Sequence, residues 1–129
     1  MKKIALVLLY SSVFVLIIYY ITHVIGVAAD LKKGLLIKDT YILASHYNLK
    51  FTTINFQCKI IVNGQQKIVS SSSSISYHTA RHLVNHYIPA MYSRKYDRLD
   101  LLILPKDFKE YGLPYPDSLR WIDSLNSRY

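Results

Sequence analysis

The sequence predicts an α+β protein: an N-terminal transmembrane helix followed by a small, mainly antiparallel β-sheet or partial barrel that carries two or three short helices. Three observations predict it. Residues 4–29 carry no fixed charge, residues 51–62 alternate between apolar and polar side chains, and an Asn63-Gly64 pair stands where that alternation ends. The first is the signature of a membrane span, the second of a half-buried strand, and the third of a tight hairpin. The corresponding divisions are a signal anchor over 1–29, a juxtamembrane connector over 30–39 and a β-rich domain over 40–129.

At about 1.5 Å rise per residue, the uncharged run forms about 39 Å of helix, enough to cross a hydrocarbon core with some tilt. Tyr10, Tyr19 and Tyr20 suit the headgroup level near its ends. A cleavable signal peptide is the competing reading, because Lys2 and Lys3 form a basic head and Val27, Ala28 and Ala29 would suit a cut before Asp30. The apolar stretch exceeds the roughly 7 to 15 residues usual for such a peptide, which favours an uncleaved anchor. Lys2, Lys3 and the terminal amine are nearly balanced by Lys32, Lys33 and Lys38, so the short signal-like head decides the orientation and sends the C-terminal domain out of the cytoplasm.

The 129-residue chain has a formal net charge of +8 and contains only four glycines and four prolines, a composition that excludes collagen-like repeats and argues against disorder. Beyond Ala29 there are fourteen Lys and Arg, the 16 of the whole chain less Lys2 and Lys3, against 8 acidic residues. That excess points to anionic surfaces, and for an anchored domain the nearest is the lipid headgroup layer rather than nucleic acid. Cys58 is the only cysteine, so an intrachain disulfide and a four-cysteine zinc site are both excluded.

Along the domain, the mixed Lys, Gly and Leu content of 30–39 reads as a connector or amphipathic turn. A first strand is expected over 40–45. In 51–62 one face collects Ile54, Phe56, Cys58, Ile60 and Val62, which makes Cys58 a small hydrophobe rather than a reactive thiol. Asn63-Gly64 then reverses the chain into a strand over 65–71. The serines at 70–74 suit either a flexible link or a strand end leading into a helix cap. Ala80, Leu83, Val84 and Tyr87 recur at helical spacing and predict a helix over 76–87, closed by Pro89. A short strand over 90–92, a basic turn over 93–98 and an apolar central strand over 99–104 follow. Pro105 starts a helical turn that Gly112 caps, and the tail from Pro116 forms another short helix with Asp117 as its cap and Leu119, Trp121, Ile122 and Leu125 docked.

Two side-chain sets bear on function. His78, His82 and His86 repeat every four residues, and imidazoles so spaced can share a metal ion. On a helix they cover an arc of about 80°, opposite the apolar face, and His78 lies about 12 Å from His86 along the axis. One pair, His78 and His82, is therefore the most such a face offers; the alternative is a solvated polar surface that gains charge below about pH 6.5. His46 is the only further histidine in the domain. The second set is Arg94, Lys95 and Arg98, interleaved with Tyr92 and Tyr96, a basic aromatic turn suited to phosphates, lipid or a partner protein. With twelve tyrosines in the chain, such proximity also arises in an ordinary solvated turn. The chain lacks a nucleophile elbow, a phosphate-binding glycine loop, a dinucleotide fingerprint and an H-E-x-x-H pair, so neither catalysis nor a cofactor is expected.

The order of VNGQQ, YIPAMYSRKYDRLDLLILPKDFKEYGLP and PDSLRWI resembles small, uncharacterised membrane-anchored proteins of Gram-negative bacteria. It is distantly similar to a broader bacterial membrane family of unknown function with a like hairpin and strand-turn. The likeness covers residues 51–122 and the anchor; Ala90 and Met91 stand where valine is commoner, and 93–98 lacks a second proline. It implies no catalytic residues. With the orientation read from the short head, the expectation is a single-pass protein of the bacterial inner membrane with its C-terminal domain in the periplasm. The expected function is a non-catalytic envelope interaction module that meets lipid headgroups or a partner through Arg94, Lys95 and Arg98. The alternative is a metal- or pH-responsive sensor on the His78, His82, His86 face.

Overall fold

In the computed structural model, residues 2–50 and 52–128 are described; Met1, Phe51 and Tyr129 lie outside them, so the expected start of a strand at Phe51 does too. The chain opens with helix α1 (Lys2–Lys32), which is long and apolar enough to cross a membrane and is a candidate anchor or signal sequence. Among the described residues, none in α1 is buried. Strands β1 (Leu35–Asn48), β2 (Thr53–Val62) and β3 (Gln65–Ser73) follow, then helix α2 (Tyr77–Leu83), strands β4 (Tyr87–Ser93) and β5 (Arg98–Leu101), and helices α3 (Pro105–Glu110) and α4 (Arg120–Ser127). Every strand pair is antiparallel, in the order β3-β2-β1-β4-β5, and the sheet curls into a half-barrel. The architecture is α+β, as its periodicities require.

The alternation in β2 buries Ile54, Phe56, Cys58 and Ile60 on the concave face. Asn63 and Gly64 both take positive φ, 53° and 77°, which is the twist that joins two strands through two residues. Four serines, Ser70 to Ser73, belong to β3 because β2 supplies paired partners for each of them, from Gln57 to Ile54. Pairing overrides the weak strand preference of serine. The chain then leaves the sheet, and Ser76 caps α2 by accepting the Thr79 N–H at 3.2 Å.

Several elements differ from their sequence-based expectations. No connector occupies 30–39: α1 continues to Lys32, and the segment from Leu35 joins β1, where Leu35, Leu36 and Ile37 pair with Tyr92, Met91 and Ala90. Helix α2 stops at Leu83 because β1 captures the chain immediately afterwards. Asn85 N–H donates to Ile42 O at 2.8 Å, Ile42 N–H donates to His86 O at 3.1 Å, and Asn85 takes a left-handed φ of 68° to make the corner. Tyr87 consequently pairs with Tyr41 in the sheet and leaves the helix face.

Pro89 sits inside β4 rather than closing a helix. Its missing donor is tolerated because β5 pairing ends at Ala90, while β1 carries a bulge between Ile37 and Thr40 on the other side. The apolar run at 99–104 is not a central strand: β5 is an edge that ends at Leu101, and Leu102, Ile103 and Leu104 are buried in the core beyond it. Asp117 makes no cap; it opens a 3-10 turn (Asp117–Leu119) and pairs with Arg120 Nε at 2.9 Å. Leu119 and Ile122 are buried and Leu125 half-buried, whereas Trp121 is 42% exposed against His86. Asn126 Oδ1 receives Ser76 N–H and Thr79 Oγ1–H, each at 3.2 Å, and so ties α4 to α2.

Phe56→Ala removes a fully buried ring and should cost about 3–5 kcal/mol. The full chain in mild detergent should lose denaturation midpoint accordingly, while Ile68→Ala, at a side chain 67% exposed, should change it little. Equal shifts would mean that the concave face is wrongly assigned.

Candidate functional site

The junction between α1 and the sheet is built around Gly34. Its N–H donates to Leu31 O at 3.0 Å, and a Cβ there would lie 2.5 Å from the Tyr92 carbonyl oxygen and 3.0 Å from that of Leu31. Only glycine lets the helix end turn so closely onto β4. One turn earlier, the Asp30 carboxylate accepts the hydroxyl proton of buried Ser93, and Ser93 Oγ in turn accepts the Tyr96 N–H at 3.2 Å. The Tyr96 ring stands edge-on to His23 with centroids 5.4 Å apart, and its hydroxyl fills the space beside Gly26. The β4–β5 turn therefore lies along residues 23–30 of α1.

The same turn closes one end of the open side of the half-barrel. Lys67 on β3 forms an ion pair with Asp97 at 2.7 Å and donates to the Tyr92 hydroxyl at 3.0 Å, and that hydroxyl donates to Asp97 at 2.5 Å. Arg94 Nη2 donates to Asn63 Oδ1 at 3.0 Å, joining the turn to the β2–β3 hairpin. The bond from Lys67, then that from Tyr92, holds the Asp97 carboxyl below the usual carboxylate range. Asp97, then Tyr92, holds the Lys67 ammonium above its usual value. Both groups are solvated, so the pair orients the turn more than it stabilises the fold.

Arg94, Lys95 and Arg98 are exposed, as is Lys33, which lies beside Arg94 and Lys95 just past the end of α1. Arg94 and Lys95 belong to the turn, with Lys95 Nζ 5.3 Å from the Tyr96 ring centre; Arg98 opens β5. Lys33, Arg94 and Lys95 rim a crevice of 390 Å³ whose floor includes Asp30, Gly34 and Tyr92. Asp30, Gly26 and Gly34 were not apparent as site residues from sequence. The available signal was one carboxylate flanked by two of the four glycines at the end of an apolar helix.

The histidines do not form the expected face. His78 and His82 are exposed on α2, but His86 lies beyond the helix, its ring 5.4 Å from that of Trp121, because the Asn85 corner has already redirected the chain. His46 lies on β1 opposite Asn55. Among the described residues, no three His, Cys, Asp or Glu side chains converge as metal ligands. Burial pushes the Cys58 thiol up to about 12, so it stays protonated within the core. Asp100 accepts the Tyr111 hydroxyl at 2.5 Å; burial raises its carboxyl, and that hydrogen bond partly offsets the rise.

The Lys67–Asp97 closure has a signed pH dependence. The Asp97 contribution is present above about pH 4, the ordinary range of an unfolded aspartate, and is lost as pH falls through its lowered folded value. The Lys67 contribution is present below about pH 10 and is lost as pH rises through its raised value. Asp97→Asn should therefore lower Tm slightly at pH 7, with the difference from wild type shrinking progressively below about pH 4. A difference that persists undiminished in acid would exclude the ion pair as its source. Compared with known proteins, the chain matches no family model, no curated protein and no solved structure.

Proposed function

We propose that this chain is a single-pass, non-catalytic envelope module. It holds its half-barrel on the periplasmic face of the bacterial inner membrane and meets anionic lipid headgroups, or a partner protein seated among them, through Arg94, Lys95 and Arg98. One observation carries the reading: the basic β4–β5 turn is fastened to residues 23–30 of α1 by the Asp30–Ser93 bond and the Tyr96–His23 contact. An apolar helix exposed from residue 2 to residue 25 requires a nonaqueous surrounding, and about 20 residues suffice to cross one. A span that starts near Ile4 reaches the far headgroup layer near His23, the level at which the turn is held.

Lys33, Arg94 and Lys95 around one crevice suit a phosphate, and each basic group close to an anionic leaflet gains about 1 kcal/mol. Such attraction is screened by salt, with a Debye length of about 8 Å at physiological ionic strength. The full chain in phosphatidylglycerol nanodiscs should show slower amide exchange in the 94–97 turn than in phosphatidylcholine nanodiscs. High salt, or Arg94→Glu with Lys95→Glu, should erase that difference. Identical exchange in the two lipids would refute headgroup contact. An alkaline phosphatase fused to the C-terminus should be active in cells; an inactive but stably expressed fusion would reverse the orientation.

A further inference from the structure

The sheet is left open along one side, where no ladder joins β3 to β5 among the described residues although their Cα atoms come within 8 Å. Strand β3 and β5 are both edges there, and an inserted peptide strand would need nearly 10 Å between its neighbours, twice the usual inter-strand spacing of about 4.8 Å. The seam is too narrow for one. It is bordered instead by the C-terminal part of α1, leaving a groove of 530 Å³ between helix and sheet.

The two walls differ in chemistry. Val24, Val27, Ala28 and Leu31 make the helix wall apolar and continuous with the uncharged span; Ser70, Ser71, Ser72 and Arg98 make the sheet wall polar. Leu99 and Asp100 complete that wall, and Asp100 already accepts the Tyr111 hydroxyl. Ser71 is 5% exposed and its hydroxyl has no hydrogen-bond partner among the described residues. A buried hydroxyl left unpaired costs about 1–3 kcal/mol, so an acceptor supplied from outside would remove a penalty as well as add a bond.

We propose that this groove binds one anionic phospholipid drawn from the bilayer, its acyl chain against Val24, Val27 and Leu31 and its phosphate at Arg98 and the Ser71 hydroxyl. The proposal rests on α1 being a membrane anchor. The volume falls within the range of about 300–1,000 Å³ usual for small-ligand sites. The groove begins beside Tyr20 and His23, where the apolar span gives way to the domain, so a lipid can enter it without leaving the membrane interface.

The test is photolabelling of the full chain in nanodiscs, using phosphatidylglycerol with a diazirine in its acyl chain, and phosphatidylcholine bearing the same group as the comparison. Phosphatidylglycerol should label Val24 and Leu31, where its acyl chain would lie, more strongly than phosphatidylcholine does. Arg98→Ala, which removes the exposed cation, should reduce that labelling by about tenfold, the effect of losing one charge-assisted contact, and Val27→Trp, which fills the groove from the helix side, should reduce it as well. Labelling of residues 4–21 reads the anchor independently. If those residues are labelled while Val24 and Leu31 are not, or are labelled equally by the two lipids, the groove proposal fails and the anchor stands. If residues 4–21 are also unlabelled, both fail together.

Discussion

The hydrogen bond between Asp30 and Ser93 determines how the domain is held. It joins the last turns of α1 to β4, and the glycine turn at Gly34 makes the joint short: helix ends at Lys32 and sheet begins at Leu35. Without a flexible linker, the direction of α1 and the placement of the half-barrel are one geometric quantity. Because β1 is the middle strand, any tilt of the helix is delivered to the centre of the sheet. The exposure of the basic turn follows from the same joint, since Tyr96 and Ser93 hold it beside the helix end.

The half-barrel itself is a compromise between curvature and pairing. Two irregularities in β1, between Ile37 and Thr40 and between Ile42 and Ala44, bend the middle strand and let Ile37, Thr40 and Ile42 all face inward. Pro89 fits beside the first of these. What does not close by backbone pairing is closed at one end by side chains: Lys67, Asp97 and Tyr92 on the inner side, Arg94 and Asn63 at the tips. These polar contacts are individually weak in water, and their service is positional. The apolar concave face, from Ile42 to Ile122, supplies the cohesion.

Some of this organisation was legible in the residues alone. The charge-free run, the alternation around Phe56 and Cys58, the Asn63-Gly64 reversal and the Pro105 and Gly112 boundaries of α3 each arise from interactions within a few residues. The candidate basic turn was legible as a cluster of like charges beside tyrosines. Its position against α1 was not, because Asp30 and Ser93 are 63 positions apart and nothing local to either names the other. The histidine face failed for the same reason: spacing by four has meaning only while the helix lasts, and a hydrogen bond from Asn85 to Ile42 ends it first.

The sequence by itself therefore determined the classes of element, the inward set of β2 and the net positive charge, since these follow from side-chain periodicity, turn stereochemistry and composition. Only the tertiary structure decided that residues 35–39 pair in the sheet, that β5 is an edge, that a serine run is a strand, and that helix and half-barrel enclose a groove between them. Those outcomes depend on partners distant along the chain, whose hydrogen bonds and packing outweigh the preferences of the residues they recruit.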